Sequence, residues 1–281
     1  MYCDLHTHTL FSDGSFTPAE LVAEARERNL TIALTDHNTV SGLPEFLAEA
    51  EKLGVRAIPG IEFSTLFHEK ELHLVGLFIQ PEDYELLESV AEKYQRLKDE
   101  SNREMVRRLN AAGFPLDYQE LLRNNPGGNL NRAHMGRALV EKGYVGSVQE
   151  AFERLLNKNL PIYVPCERLQ ITDCIRLFRQ RNIVPILAHP LQDLTEAELR
   201  TCLPELVEAG LIGLETHHSS YDDDTIALAT QIATEFHLLS SGGSDFHGLA
   251  KPDIQLGVGK GNLRIPLSVL DNLEAARNRI P

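Results

Sequence analysis

The sequence predicts an α/β fold, a mainly parallel sheet interrupted by one helical segment. Three observations predict it. Seven short β-branched or apolar runs recur along the chain, helical patterns lie between most of them, and the stretch 82–165 carries helical spacing alone. A length of 281 residues suits one large α/β domain or a domain with an insertion. Apolar residues at 42% and charged residues at 24% exclude a largely disordered or collagen-like chain.

The strand runs fall at 2–6, 31–35, 55–60, 71–79, 183–189, 211–216 and 238–242, each bounded by polar or turn residues. Between the first two, Thr17 as N-cap and Glu20 three residues on form a capping box that opens a helix from Pro18 to Arg28. Thr195 and Glu198 repeat that box before Leu199 to Glu208. Alternation of this kind implies right-handed crossovers between parallel strands.

In the interrupting stretch, Leu86, Val90, Tyr94 and Leu97 recur at helical spacing, and Val106 and Leu109 continue it to a stop at Gly113. These are packing positions. Ala133 to Lys142 ends before Gly143, and a box of Ser147 and Glu150 precedes Ala151 to Leu156. Asn124 to Asn131, rich in Asn and Gly, reads as an exposed loop. The predicted division is a barrel from 1–81 and 166–281 with a helical insertion at 82–165.

The chain holds 27 Lys and Arg against 41 Asp and Glu, a net charge of −14. Such a balance excludes a broad basic surface for duplex DNA, although bound cations can reverse the charge locally for a phosphorylated ligand. Trp is absent and aromatics are 6%, which argues against a stacking track for long single strands. Cys3, Cys166, Cys174 and Cys202 show no CxxC spacing and are expected as reduced, packed thiols. No apolar run approaches the roughly 18 residues that span a bilayer, and a polar, histidine-rich segment follows Met1. A cytoplasmic chain without a membrane partner is expected.

The eleven histidines are unevenly placed. Four short groups gather them with carboxylates: Asp4, His6 and His8 with Asp13 following, Asp36 with His37, Glu215 with His217 and His218, and Asp245 with His247. His6 and His8, two apart on or just after a strand, project to one face, and Asp245 and His247 repeat that spacing. His37, Glu62, His189 and Glu215 follow apolar strand runs, so nearly all candidates stand at strand C-terminal ends, which in a βα barrel share one mouth. His73 is near the start of its strand and converges only if that strand runs against its neighbours or lies across the face. Imidazoles and carboxylates without thiolate suit manganese, iron or zinc, and the chemistry that follows is hydrolytic.

DLHTHTLFSDG, TDHNT, PGIEF, ELHLVGLF, AHP and GSDFH resemble, in order along the whole chain, the motifs of the polymerase and histidinol phosphatase (PHP) family. The resemblance implies a distorted (β/α)7 barrel of the amidohydrolase superfamily with a small helical insertion domain, a site for two or three divalent ions, manganese first, and phosphoester hydrolysis. It implies one ion held by His6, His8, Glu62 and Asp245, a second by Glu62, His73 and His189, and a third by Asp13, His37 and His247. Some branches have histidine where this chain has Asp13.

The insertion carrying Asn131 to His134 looks like the branch of 3′,5′-nucleotide bisphosphate phosphatases and related 5′-3′ exoribonucleases. Arg132 is the candidate phosphate clamp, having a planar fork suited to phosphoryl oxygens. His134 and His218 are candidate phosphate donors, and Asp245, His218 and Arg132 the candidate catalytic groups. Asp4, Asp36 and Glu215 are expected behind the ligands, orienting them.

The expected activity is removal of the 3′-phosphate from a small nucleotide such as adenosine 3′,5′-bisphosphate by a metal-bound hydroxide. Alternatives are 5′-3′ exonuclease action on short 5′-phosphorylated RNA and a histidinol-phosphate-type phosphatase. From another class, a non-catalytic module binding a phosphorylated ligand is disfavoured because no ligand position is missing. His68 and His237 read as surface or packed residues. Asp222 to Asp224 read as helix N-terminal charge, and Ser241 to Ser244 lacks the lysine of a phosphate-binding loop.

Overall fold

The computed structural model describes residues 2–125 and 130–277. Pro126 to Asn129, within the expected loop at Asn124 to Asn131, lie outside the described residues. In chain order the elements are β1 (Tyr2–Asp4), α1 (Pro18–Arg28), β2 (Leu30–Leu34), α2 (Leu43–Leu53), β3 (Ala57–Phe67), β4 (Lys70–Leu77) and α3 (Tyr84–Ala111). Next come α4 (Tyr118–Arg123), α5 (Arg132–Glu141), α6 (Val148–Ala151), α7 (Ile171–Gln180), β5 (Val184–Leu187), α8 (Pro190–Asp193) and α9 (Glu196–Ala209). The chain closes with β6 (Gly213–His218), α10 (Asp223–Glu235), β7 (Leu239–Gly243), β8 (Ile265–Pro266) and α11 (Leu267–Arg277).

One sheet runs in the order β7-β6-β5-β4-β3-β2-β1-β8. Beyond the end of β1 it meets β7 again: Leu5 N donates to Gly242 O, Asp245 N to His6 O and His8 N to Phe246 O. The result is a nearly closed, distorted barrel. Closure is tight at Gly243, where a Cβ would lie 2.2 Å from the Cβ of His6, so only glycine lets the two strands touch. Two-residue β8 pairs antiparallel with the start of β1, an eighth strand too short to leave a run in the sequence.

Most pairings in the sheet are parallel, and besides β8 the exception is β4. β4 is antiparallel to both β3 and β5, because the two residues between β3 and β4 permit a hairpin and not a crossover, which needs a dozen or more. His68 takes φ +51° in that turn. Leu5, Ala33, Val75, Leu77 and Ile186 of the sheet region and Leu273 of α11 belong to one buried apolar cluster, whose burial from water is the main stabilising contribution.

Local signals set the helix ends. Thr17 and Glu20, and Thr195 and Glu198, exchange hydrogen bonds as full capping boxes. Ser147 caps α6, but Glu150 turns to Gly146 N instead, and the chain continues through a π-turn at Phe152–Leu156.

The chain forms two compact units, Met1–Ala91 with Leu169–Pro281, and Glu92–Arg168. The division falls inside α3. The first turns of that helix bury Leu87, and Glu88 Oε1 accepts from Thr39 Oγ1, Val40 N and Ser41 Oγ in the loop after β2. The second unit has its own core, including Met105, Leu109, Leu139, Leu156 and Ile162.

Candidate metal centre

Glu62, in the middle of β3 and fully buried, is surrounded by five imidazoles. Its Oε2 lies 3.0 Å from His6 Nε2, 3.3 Å from His8 Nε2 and 3.0 Å from His37 Nδ1. Its Oε1 lies 3.0 Å from His73 Nδ1 and 3.1 Å from His189 Nε2. The two oxygens of one carboxylate thus serve two different sets of rings.

The strands bring these groups together. His6 and His8 follow β1, and His37 follows β2 and bridges to Glu62. His189 follows β5, while Asp245 and His247 follow β7. His73 reaches the same place because β4 runs against its neighbours, pairing His73 with Ser64, two residues beyond Glu62. His189 and Asp245 take left-handed φ of +28° and +56°, strain that clusters at functional groups.

On the far side of His8, Asp245 Oδ1 lies 3.3 Å from His8 Nε2, and Asp13 Oδ1 lies 3.1 Å from His247 Nε2. Asp13 is also 3.9 Å from both His8 Nδ1 and His37 Nε2. Four sets of donor atoms close enough to share a cation result: His8, Asp13, His37, His247; His6, Glu62, His189; His6, His8, Asp245; and His37, Glu62, His73.

Metal ions fit this arrangement. The Nε2 atoms of His6, His8 and His247, Nδ1 of His37 and Oε2 of Glu62 are buried without an aligned hydrogen bond, which folded proteins avoid unless another partner is supplied. The outer nitrogens are arranged to match. His6 Nδ1 lies 2.8 Å from Glu215 Oε1, and His247 Nδ1 lies 2.8 Å from the carbonyl of Asp245. Each acceptor holds a proton on Nδ1, so Nε2 is the nitrogen left to face a cation.

His218 has the opposite arrangement. Its Nδ1 accepts from Ser220 N at 3.2 Å and is 3.0 Å from Gln192 Nε2, so the proton sits on Nε2, a donor and not a ligand atom. That Nε2 is buried, unpartnered, and 3.7 Å from Asp245 Oδ2.

Charge and burial oppose one another here. Burial pushes the Glu62 and Asp245 carboxyls up, but the surrounding histidines hold both well below the usual range. His37 is lowered to about 3 by burial first, with the cationic neighbours His8 and His73 also acting downward.

Of the carboxylates expected behind the candidate ligands, Glu215 contacts two of these residues: besides the His6 ring it accepts from His189 N at 2.7 Å. Asp36 reaches no ring. It accepts from Thr9 N and Oγ1 and from Ser12 Oγ, the last 3.4 Å from His8 Nδ1. Asp4 also reaches no ring; three backbone N–H groups, of Ser244, Gly257 and His6, and the Ser244 hydroxyl occupy both its oxygens.

Arg132 and His134 lie at the start of α5 in the second unit. Arg132 Nη1 donates to Leu156 O, and its guanidinium lies over the rings of Phe152 and Tyr163. His134 Nδ1 accepts from Asn131 N, which puts the ring proton on Nε2; burial, with Arg137 and Lys98, lowers its pKa. The sequence reading missed Asp193, Gln192 and Lys251. Asp193 Oδ2 lies 3.4 Å from His189 Nδ1 at helical i,i+4 spacing, a signal that was present. Gln192 and Lys251 carry no pattern.

Residues 4–165 match the PHP domain family. The chain is 31% identical over 258 residues to the 5′-3′ exoribonuclease Rnm of Salmonella typhimurium, covering 90% of this chain and 87% of that one. It is 32% identical over 251 residues to the 3′,5′-nucleoside bisphosphate phosphatase of Chromobacterium violaceum, covering 87% and 86%. The structure of an amidohydrolase from Chromobacterium violaceum, with sulfate bound and no metal, aligns with a TM-score of 0.72 at 28% identity over 98% of this chain and 96% of that one.

Proposed function

The chain belongs to the PHP domain family and is a metal-dependent phosphoesterase, and we propose that it removes the 3′-phosphate of a nucleoside 3′,5′-bisphosphate. The observation that carries this reading is the split carboxylate of Glu62, which offers each oxygen to a separate set of imidazoles. The nucleotide class rests on the relatives, one named for a nucleoside bisphosphate and one for RNA.

On this reading three ions, manganese first, are held by His6, His8, Glu62 and Asp245; by Glu62, His73 and His189; and by Asp13, His37 and His247. Such ions acidify water and neutralise phosphoryl oxygens. His218 presents its Nε2–H toward the same pocket, placed to hydrogen-bond a phosphoryl or leaving oxygen. Arg132 and His134, in the second unit, are the candidates to hydrogen-bond a phosphoryl group.

Phosphate release is to be measured with manganese-reconstituted protein on adenosine 3′,5′-bisphosphate, histidinol phosphate and a 5′-phosphorylated RNA oligomer, with His8→Ala as control. Preferred release from the bisphosphate, lost in the control, is expected. Nucleotide release from the oligomer as the main activity makes the chain an exoribonuclease, the second reading favoured by the Rnm relative. Silence on all three with ions bound rejects both.

A further inference from the structure

We propose that Lys251 touches the substrate, supplying a positive charge from the protein itself to the phosphoryl group. The inference rests on the phosphoesterase reading above and concerns how the same site takes hold of its anion.

Asp245 divides its carboxylate between two surroundings. Oδ1 faces inward to His8 Nε2, whereas Oδ2 lies 2.7 Å from Lys251 Nζ and 3.7 Å from His218 Nε2. The lysine side chain is 41% exposed and the aspartate 10%, so Lys251 reaches from solvent down to the cluster. An ammonium carries three donors and the aspartate takes one. Two remain, beside the unpartnered N–H of His218. Free donors from two side chains therefore converge at one oxygen on the outer edge of the candidate ligands.

The backbone under Lys251 is held in place. Ser15 N donates to His247 O, Leu249 N to Ser15 Oγ and Lys251 N to Gly248 O. Gly248 turns at φ +62°, where a Cβ would lie 2.4 Å from Ser15 Oγ. A loop tied this closely to the segment between Asp13 and α1 delivers the ammonium to a fixed position, which favours anion recognition over a mobile surface charge. The other carboxylates of the cluster, Asp13, Glu62 and Glu215, are paired with imidazoles. A phosphate dianion entering among them gains from a permanent cation at its edge.

Lys251→Met and Lys251→Arg are to be compared with the unaltered protein after reconstitution with manganese, reading metal content, the inhibition constant of inorganic phosphate and kcat/KM on the best substrate. Lys251→Met is expected to keep its metal, weaken phosphate inhibition at least about tenfold and lower kcat/KM by a similar factor, with Lys251→Arg recovering part of both. Phosphate inhibition unchanged in Lys251→Met overturns the proposal. Loss of metal in Lys251→Met also overturns it, because Lys251 then acts only by positioning Asp245. If no ester is hydrolysed by the unaltered protein, the functional reading fails, while direct binding of phosphate by calorimetry still decides the role of Lys251; no binding to the unaltered protein rejects it.

Discussion

Glu215 Oε1 lies 2.8 Å from Nδ1 of His6, while Glu215 Oε2 takes the backbone N–H of His189. One buried carboxylate thereby orients a ring after β1 and the chain after β5. Glu215→Gln is expected to weaken metal affinity about 10- to 100-fold while leaving the fold intact. Metal titration of the stripped protein checks it, and unchanged affinity would show that Glu215 only packs.

Metal binding should release protons. Burial lowers the pKa of His8, but the neighbouring Asp245 and Glu62 carboxylates more than offset this and raise it to about 9. Burial likewise opposes, and Asp193 and Glu62 raise, His189 to about 9; Glu62 and Glu71 raise His73 to about 10. In the metal-free protein these rings are protonated at pH 7, and each must lose a proton to offer a lone pair. Affinity therefore falls as pH drops and rises with pH until about 9 to 10. His37, lowered to about 3, releases none. Calorimetry in two buffers of different ionisation enthalpy measures the release; equal heats would contradict it.

Asp4 fastens the barrel seam and is expected to matter for stability more than for chemistry. It is fully buried and accepts from Ser244 N, Ser244 Oγ, Gly257 N and His6 N. Asp4→Ala leaves those donors without their partner, at a cost of about 3 kcal/mol. A melting temperature lower by several degrees is the expected readout, with the residual folded protein retaining its metal.

Arg132 separates two roles in one experiment. If it clamps phosphate, Arg132→Ala lowers kcat/KM at least about tenfold, near 1.4 kcal/mol, with metal content unchanged. Its contacts with Leu156 O, Phe152 and Tyr163 define the other outcome. A fall in melting temperature with kcat/KM intact assigns it to packing.

The sequence by itself determined what is local. The box of Thr17 and Glu20 needs only residues three apart, and the two-residue spacing of His6 and His8 follows from the pleat of one strand. Glu62, His189 and Asp245 were legible as candidates because each stands at or beyond an apolar strand run. Strand direction and loop path are not local, and the tertiary structure decided them. The β3–β4 hairpin reverses β4 and brings His73 to Glu62, the barrel seam turns Asp4 to backbone donors, and the loop after β7 sets Lys251 on Asp245. Spacing along a strand is set by covalent geometry, whereas which groups meet across a barrel depends on closure, where buried polar atoms find partners far away in the chain.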